Sequence, residues 1–398
     1  MSSYDFDTII NRKGTDCIKW DNNDSEEILP LWVADMDFAA APQIQKAMAE
    51  RLAHPVYGYT FPGDDLLSSI TSWVGRRYHW DIKKDWVVFS PGVVPALSMS
   101  VLAFTNPGDR VLLMSPVYRP FYSSIEENGR VIINHQLAKD ENGYYTIDFE
   151  KLEAQIDSRT KALMMCNPHN PAGRVWKREE LLKLADIAKR HDLLVISDEI
   201  HADFIYSGHK HISIASLSED MESRTITAYA PSKTFNLAGL SQSYVVIPNP
   251  RLRAGYMALY DALDLGNNIF GMTALTAAYN EGEDWLEELL AYLEANRDFA
   301  VDYIKKFIPQ IHVCPPEGTY LMWLDCKNLG LENEALTEFF KKEAKVRLNP
   351  GFRFGSQASS FVRLNIGCPR ALLEEGLSRI RTAIEKRSGH MSAYNGQS

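Results

Sequence analysis

Three side chains of different chemistry follow three short apolar runs in the middle of the chain. ALMMC leads into Asn167-Pro168-His169-Asn170-Pro171-Ala172-Gly173, LLVIS into Asp198-Glu199-Ile200-His201, and TITAYA into Pro231-Ser232-Lys233-Thr234. If each run is a strand of one parallel sheet, an amide, a carboxylate and an amine reach the same edge, where open α/β sheets bind ligands. Lys233 is followed by Phe235-Asn236-Leu237-Ala238-Gly239-Leu240, too apolar for an exposed turn. An amine in such surroundings has its pKa lowered and can act as a nucleophile or Schiff-base partner. Beside it Asp198 suits a pyridinium nitrogen, which a carboxylate keeps protonated so that the ring can accept electrons from a carbanion. Alone, each residue has a plainer reading: a solvated loop lysine, an N-cap aspartate, an asparagine closing an Asx-turn before Pro171. Together they point to one site.

Asp198, Glu199, His201 and Asp203 could also be drawn as metal ligands, but neighbours on a strand point to opposite faces, so no metal is expected. Upstream, Ser90-Pro91-Gly92-Val93-Val94-Pro95-Ala96-Leu97 opens a helical pattern running to Phe104. The free N–H groups and positive dipole of such an opening make a phosphate seat, although openings of this kind are common.

The elements that must position these residues are those of an α/β protein. Short β-branched runs at 111–115, 131–134, 162–166, 193–197, 225–230 and 243–247 alternate with helical stretches. From Arg178 to His191 the spacing of Leu181, Leu182, Leu184, Ala185, Ile187 and Ala188, with Lys and Arg between them, predicts a crossover helix. After residue 284 the texture changes to a long helix through Phe307, strand-like TYLMWL, a charged helix from Glu332, strands near Val346 and Phe361, and a final helix from Arg370. The expected organisation is an N-terminal segment, 1–48, packing with a small domain; a large domain, 49–283, with a mostly parallel seven-stranded sheet between helices; a smaller α+β domain, 284–387; and a polar tail, 388–398. The cleft between the domains is the default place for a ligand.

Composition limits the partners. With 398 residues and 45% hydrophobic side chains the chain can fill two or three cores, and its net charge of −10 argues against nucleic acid or anionic membrane. Five scattered cysteines without a C-x-x-C pair suggest reduced thiols. The opening MSSYDFDTIINRKG lacks the basic-then-apolar pattern of a secretory signal, and no run reaches the ~18 apolar residues of a spanning helix. A cytoplasmic protein acting on a small molecule is expected.

At this point the sequence resembles the pyridoxal-phosphate-dependent aminotransferase fold type I family (class I/II), and within it the MalY/PatB-type cystathionine β-lyase, or C–S lyase, branch. The phrases that carry the resemblance are LWVADMDF (31–38), YGYT (57–60), SPGVVPAL (90–97), SPVYRPF (115–121), NPHNPAGRVW (167–176), SDEIHADF (197–204), SKTFNLAGL (232–240), EGTYLMWLD (317–325) and FVRLNIGCPR (361–370). It implies that Lys233 carries the cofactor, Asp198 partners the pyridine nitrogen, Asn170 bonds the ring hydroxyl and Tyr118 stacks on the ring. Backbone N–H groups of Gly92, Val93 and Val94, with Ser232, would hold the phosphate, helped by Tyr59 from a second subunit of a homodimer. Arg363 resembles the arginine that grips the substrate carboxylate. Two departures favour the lyase branch: His201 stands where many aminotransferases have tyrosine, and Ser241 where they carry an arginine on the phosphate. As a plain residue, a histidine between Ile200 and Ala202 more often satisfies neighbouring backbone than contacts a cofactor. The resemblance implies β-elimination from L-cystathionine or a related L-cysteine S-conjugate, with methionine biosynthesis as a possible setting; the alternative is an aminotransferase for neutral or aromatic amino acids. Some members of this branch also act on a transcriptional regulator, a role no patch in the sequence marks.

Overall fold

A computed structural model describes residues 3–395. Its centre is a seven-stranded sheet built from β1 (Val87–Ser90), β2 (Arg110–Ser115), β3 (Val131–Gln136), β4 (Thr160–Cys166), β5 (Leu194–Asp198), β6 (Thr225–Tyr229) and β7 (Ser243–Val246), in the spatial order β1-β7-β6-β5-β4-β2-β3. Pairing is parallel from β3 through β6, and only β7 runs antiparallel to its two neighbours. Six of these strands fall on the expected runs. β1 does not: VVFS is short and runs straight into a helical pattern, so it carries no period of its own.

Continuous apolar strands are what a sheet covered on both faces requires. Alternate residues go to opposite sides. Leu112, Met114, Leu163, Met165 and Val195 pack under the helix Arg178–Arg190 through Leu181, Leu184, Ile187 and Ala188. Val111, Leu113, Ala162, Met164 and Ile196 pack under the helix Val93–Phe104 through Ala96, Leu97 and Val101.

A second sheet has four antiparallel strands, β8 (His312–Val313), β9 (Leu321–Asp325), β10 (Asn349–Pro350) and β11 (Phe361–Asn365), ordered β8-β9-β11-β10. Its apolar residues Leu321, Leu324, Val362 and Leu364 share a core with Leu286, Leu289 and Leu293 of the helix Glu283–Phe307 and Leu373, Leu377 and Ile380 of the helix Arg370–Asn395. That last helix continues past Ser388, where the sequence loses its apolar period and reads as a tail; extending a formed helix costs little and needs no buried face. Residues 396–398 lie outside the described residues.

The N-terminal segment forms a separate two-stranded sheet beside the second one. Leu29–Pro30 pairs parallel with Val346–Arg347, and residues 31–38 continue as a strap: the Leu31 N–H donates to the Arg347 carbonyl at 3.0 Å and the Asp37 N–H to the Gly367 carbonyl at 2.9 Å.

Candidate active site

The three strand exits are rigid. The Asn167 N–H bonds the Asp198 carbonyl and the Glu199 N–H the Ala228 carbonyl, both at 2.9 Å, so the ladder runs on past the strand ends. After Asn170 the chain turns at Gly173, whose φ of +69° and closeness to Pro316, 2.4 Å from where a Cβ would sit, leave room for no other residue. Lys233 lies on the one-turn helix Pro231–Thr234, begun by a proline that fixes φ for the first helical position.

These exits converge on a cavity of about 190 Å³ whose lining includes Asn170, Asp198, His201, Ser232, Lys233, Tyr118 and the Gly92–Val94 turn. Gly92 precedes the helix Val93–Phe104 and no side chain caps it, so its first N–H groups face the cavity end without a side-chain acceptor. A wider polar cleft of about 690 Å³ lies behind Asp203. Most of its charges are already paired, as in Arg76–Glu283, Arg77–Glu287 and Glu294–Arg297, so the smaller cavity is the better candidate for chemistry.

Burial sets the charges. Asp198 is pushed up to about 7 by burial, with Glu199 adding to the shift against the pull of the Ile200 N–H and Lys233. Its Oδ1 accepts from the Ile200 N–H at 3.0 Å, an Asx-turn rather than a helix cap. Burial and the charge of Arg363 lower the Lys233 amine to about 8. Burial holds His201 far below its ordinary value, so its ring is neutral. Its Nδ1 is buried without a hydrogen-bond partner, and its ring meets Phe204 and Tyr320 at 6.2 and 5.9 Å. Among the described residues no backbone group partners this Nδ1, so the ring does not satisfy neighbouring backbone through that atom, and it lines the cavity instead.

Arg363, on β11, is fully buried and lowered to about 10 by that burial. Its Nη1 donates to Asn170 Oδ1 at 3.0 Å and its Nη2 to the Trp32 carbonyl at 3.2 Å, while its Nε has no partner. The strap thus meets both sheets at the site. Asn365 Nδ2 donates to the carbonyls of Val33 and Asp35, each at 2.6 Å, and Asn236 Nδ2 to those of Met36 and Phe38 at 2.8 and 3.0 Å.

Tyr59, expected at the phosphate, lies away from the cavity of this chain; it is fully exposed on the stretch that also exposes Val56, Tyr57 and Phe61. Ser241 lines the cavity in a left-handed conformation, φ +47°. Glu199 and Asp203, drawn as possible metal ligands, point elsewhere. Glu199 accepts from Ser197, Ser213, His211 and Tyr229 at 2.6–3.1 Å, and Asp203 accepts from Thr234 at 2.7 Å. Sequence reasoning missed Cys166, Gln242 and the carbonyl of Ala34 as lining groups. Cys166 could have been found as the last residue of its strand; a carbonyl leaves no trace in residue type.

A family model for aminotransferase class I and II matches residues 26–380. The chain is 43% identical to cystathionine beta-lyase PatB of Bacillus subtilis over 95% of its own length and 99% of the relative's. It superposes on the structure of cystalysin from Treponema denticola, which contains a pyridoxal 5'-phosphate cofactor, with a TM-score of 0.93 at 37% identity, covering 96% of this chain and 99% of that one. It is likewise similar to the PLP-bound C–S lyase of Staphylococcus hominis, with a TM-score of 0.90, 33% identity and 96% and 98% coverage.

Proposed function

We propose that this chain, which belongs to the class I and II aminotransferase family, is a pyridoxal-phosphate-dependent C–S lyase that eliminates the thiol from L-cystathionine or a related L-cysteine S-conjugate, leaving pyruvate and ammonia. One observation carries the reading: the half-buried amine of Lys233 and the buried carboxyl of Asp198 line one cavity, and the buried guanidinium of Arg363 joins its wall through Asn170. The side chains fit the cofactor. Lys233 is the amine for its aldehyde, the raised pKa of Asp198 marks a carboxyl in want of a cationic N–H partner, and the uncapped turn at Gly92, Val93 and Val94 suits a phosphate.

When bound, pyridoxal phosphate withdraws electrons from the substrate's Cα and so acidifies its hydrogen. The protein's own groups do the rest. Asp198 would keep the ring nitrogen protonated, Asn170 would hold the ring hydroxyl, and Tyr118 would pack against the ring. Ser232 adds to the phosphate seat. Neutral His201 lines the same wall with its lone Nδ1. The fork of Arg363 holds the α-carboxylate in two parallel bonds, which fixes the Cα–H relative to Lys233. Lys233 would take that proton onto Nζ; its lowered pKa suits a general base near neutrality. The Cβ–S electrons leave with the thiolate, and hydrolysis of the remaining three-carbon unit gives pyruvate and ammonia.

The exposed run Tyr57, Tyr59 and Phe61 supports a homodimer in which Tyr59 completes the partner's phosphate seat. All five cysteines are unpaired, which supports a reducing, cytoplasmic setting, where homocysteine release would serve methionine synthesis.

Pure protein with L-cystathionine decides the reaction. Stoichiometric free thiol and pyruvate, with no amino acceptor added, are expected. Keto acid formed only when an acceptor is supplied, without free thiol, would make the protein an aminotransferase.

A further inference from the structure

Asp203 stands two residues beyond His201, yet it faces away from the cavity. The turns after β5 are closed by the Ala202 N–H on the Glu199 carbonyl and the Phe204 N–H on the His201 carbonyl, both at 3.0 Å. They send His201 to the cavity and Asp203 to the polar cleft behind it. Asp203 is almost fully buried, and its Oδ2 accepts from the Thr234 hydroxyl at 2.7 Å. Its Oδ1 lies 3.5 Å from Nε of Arg77, in the last turn of the helix Asp64–Tyr78. Arg77 is itself confined: it pairs with Glu287 and Glu283 of the helix Glu283–Phe307, and its guanidinium lies over the Trp73 ring at 5.5 Å.

Thr234 directly follows Lys233 and ends the helix Pro231–Thr234. Four residues do not make a self-supporting helix, because a first turn fixes several dihedrals for a single hydrogen bond, here from the Phe235 N–H to the Pro231 carbonyl at 2.9 Å. Outside support reaches this turn at two points. Asn236 ties its far side to the strap, and Asp203 ties the residue next to the amine. The second tie is charge-assisted and buried, which makes it the stiffer one. We propose that Asp203 is a positioning residue for Lys233: through Thr234 it fixes the backbone from which the amine works, and Arg77 holds Asp203 in place. The proposal rests on the lyase reading and adds to it a residue outside the cavity.

The test removes the tie without changing its shape. Thr234→Val deletes the donor, whereas Thr234→Ser keeps it. With holoenzyme and L-cystathionine, Thr234→Val should lower kcat about tenfold and leave KM within about twofold, because a misplaced amine slows proton transfer and leaves the carboxylate grip intact. Mixed with pyridoxal phosphate, its apo-protein should form the visible band about tenfold more slowly than wild type. Thr234→Ser should restore both rates. Asp203→Asn should lose about as much, and the double variant Asp203→Asn/Thr234→Val no more than either alone, since both act through one hydrogen bond. Asp203→Asn leaves no buried charge unpaired, so it carries the test if Thr234→Val folds poorly. Losses that multiply in the double variant overturn the positioning role. So do wild-type rates in Thr234→Val with only a lowered urea midpoint, which would make the pair a packing feature. If wild type forms the visible band but releases no thiol, the lyase reading fails separately, and the rates of band formation decide the proposal.

Discussion

The Nζ of Lys233 donates a 2.6 Å hydrogen bond to the carbonyl oxygen of Ala34. Tyr320 donates its hydroxyl to the same oxygen at 2.9 Å, so the strap's backbone meets both the amine and the second sheet at one atom. The amine is thus held at the strand-exit wall before any ligand arrives, which cuts the ordering cost of using it. Whatever covalent partner Lys233 takes must replace this contact.

That placement makes Lys233→Ala the sharpest single test. The purified variant should lose the visible absorbance of a covalently held pyridoxal group, and thiol release should fall by about a thousandfold or more, since nucleophile and base are removed together. A visible band that survives gel filtration would put the cofactor on another lysine.

Asp198 and Lys233 give the cofactor-free protein an unusual pH profile. Asp198 has its folded pKa raised to about 7, so its contribution is fully present below the ordinary carboxylate value and is lost as pH climbs through 7. Lys233 is lowered to about 8, so its contribution is present above the ordinary lysine value and is lost as pH falls through 8. Both are missing between about 7 and 8, where these two groups destabilise the apo-protein by about a few kcal/mol. Urea unfolding of the apo-protein at pH 5 and pH 7.5 should show the decline, and Asp198→Asn should reduce it. An identical decline in the variant would mean that other groups cause it.

Arg363→Lys separates charge from shape. The lysine keeps the positive charge but cannot serve Asn170, Trp32 and a substrate carboxylate from one plane. KM for any L-amino-acid substrate should rise about ten- to a hundredfold with a smaller change in kcat. An unchanged KM would remove Arg363 from carboxylate binding.

What the sequence disclosed followed from repetition and residue type. Runs such as LLVIS and ALMMC announce buried parallel strands because both faces are covered, and the residue after each run inherits a fixed place at the sheet edge. Lys233, Asp198 and Asn170 were therefore legible as a group. VVFS was not, because four apolar residues abutting a helix have no distinguishing period. Nor could composition show that Glu199, next to Asp198, turns away into a nest of four donors, or that Ala34 serves through its carbonyl.

The strap itself can be tested through Asn365, fully buried at the end of β11. Its amide nitrogen serves the carbonyls of Val33 and Asp35 and its oxygen accepts from the Gly367 N–H at 2.7 Å. Asn365→Ala leaves the Val33 carbonyl and the Gly367 N–H unpaired, while the Asp35 carbonyl keeps Lys19 Nζ at 3.2 Å; the cost is about 2–5 kcal/mol, because buried polar atoms without partners carry their full desolvation penalty. A general loss of stability would affect all parts of the fold, whereas release of the strap should be local. Hydrogen exchange should therefore speed up at Val33 to Asp37 while amides of the central strands, such as Val195, keep their protection. KM should rise about tenfold, because the strap carries the Trp32 carbonyl that holds Arg363 in place. Uniform loss of protection across both sheets, with KM unchanged, would show that Asn365 supports the core and not the strap.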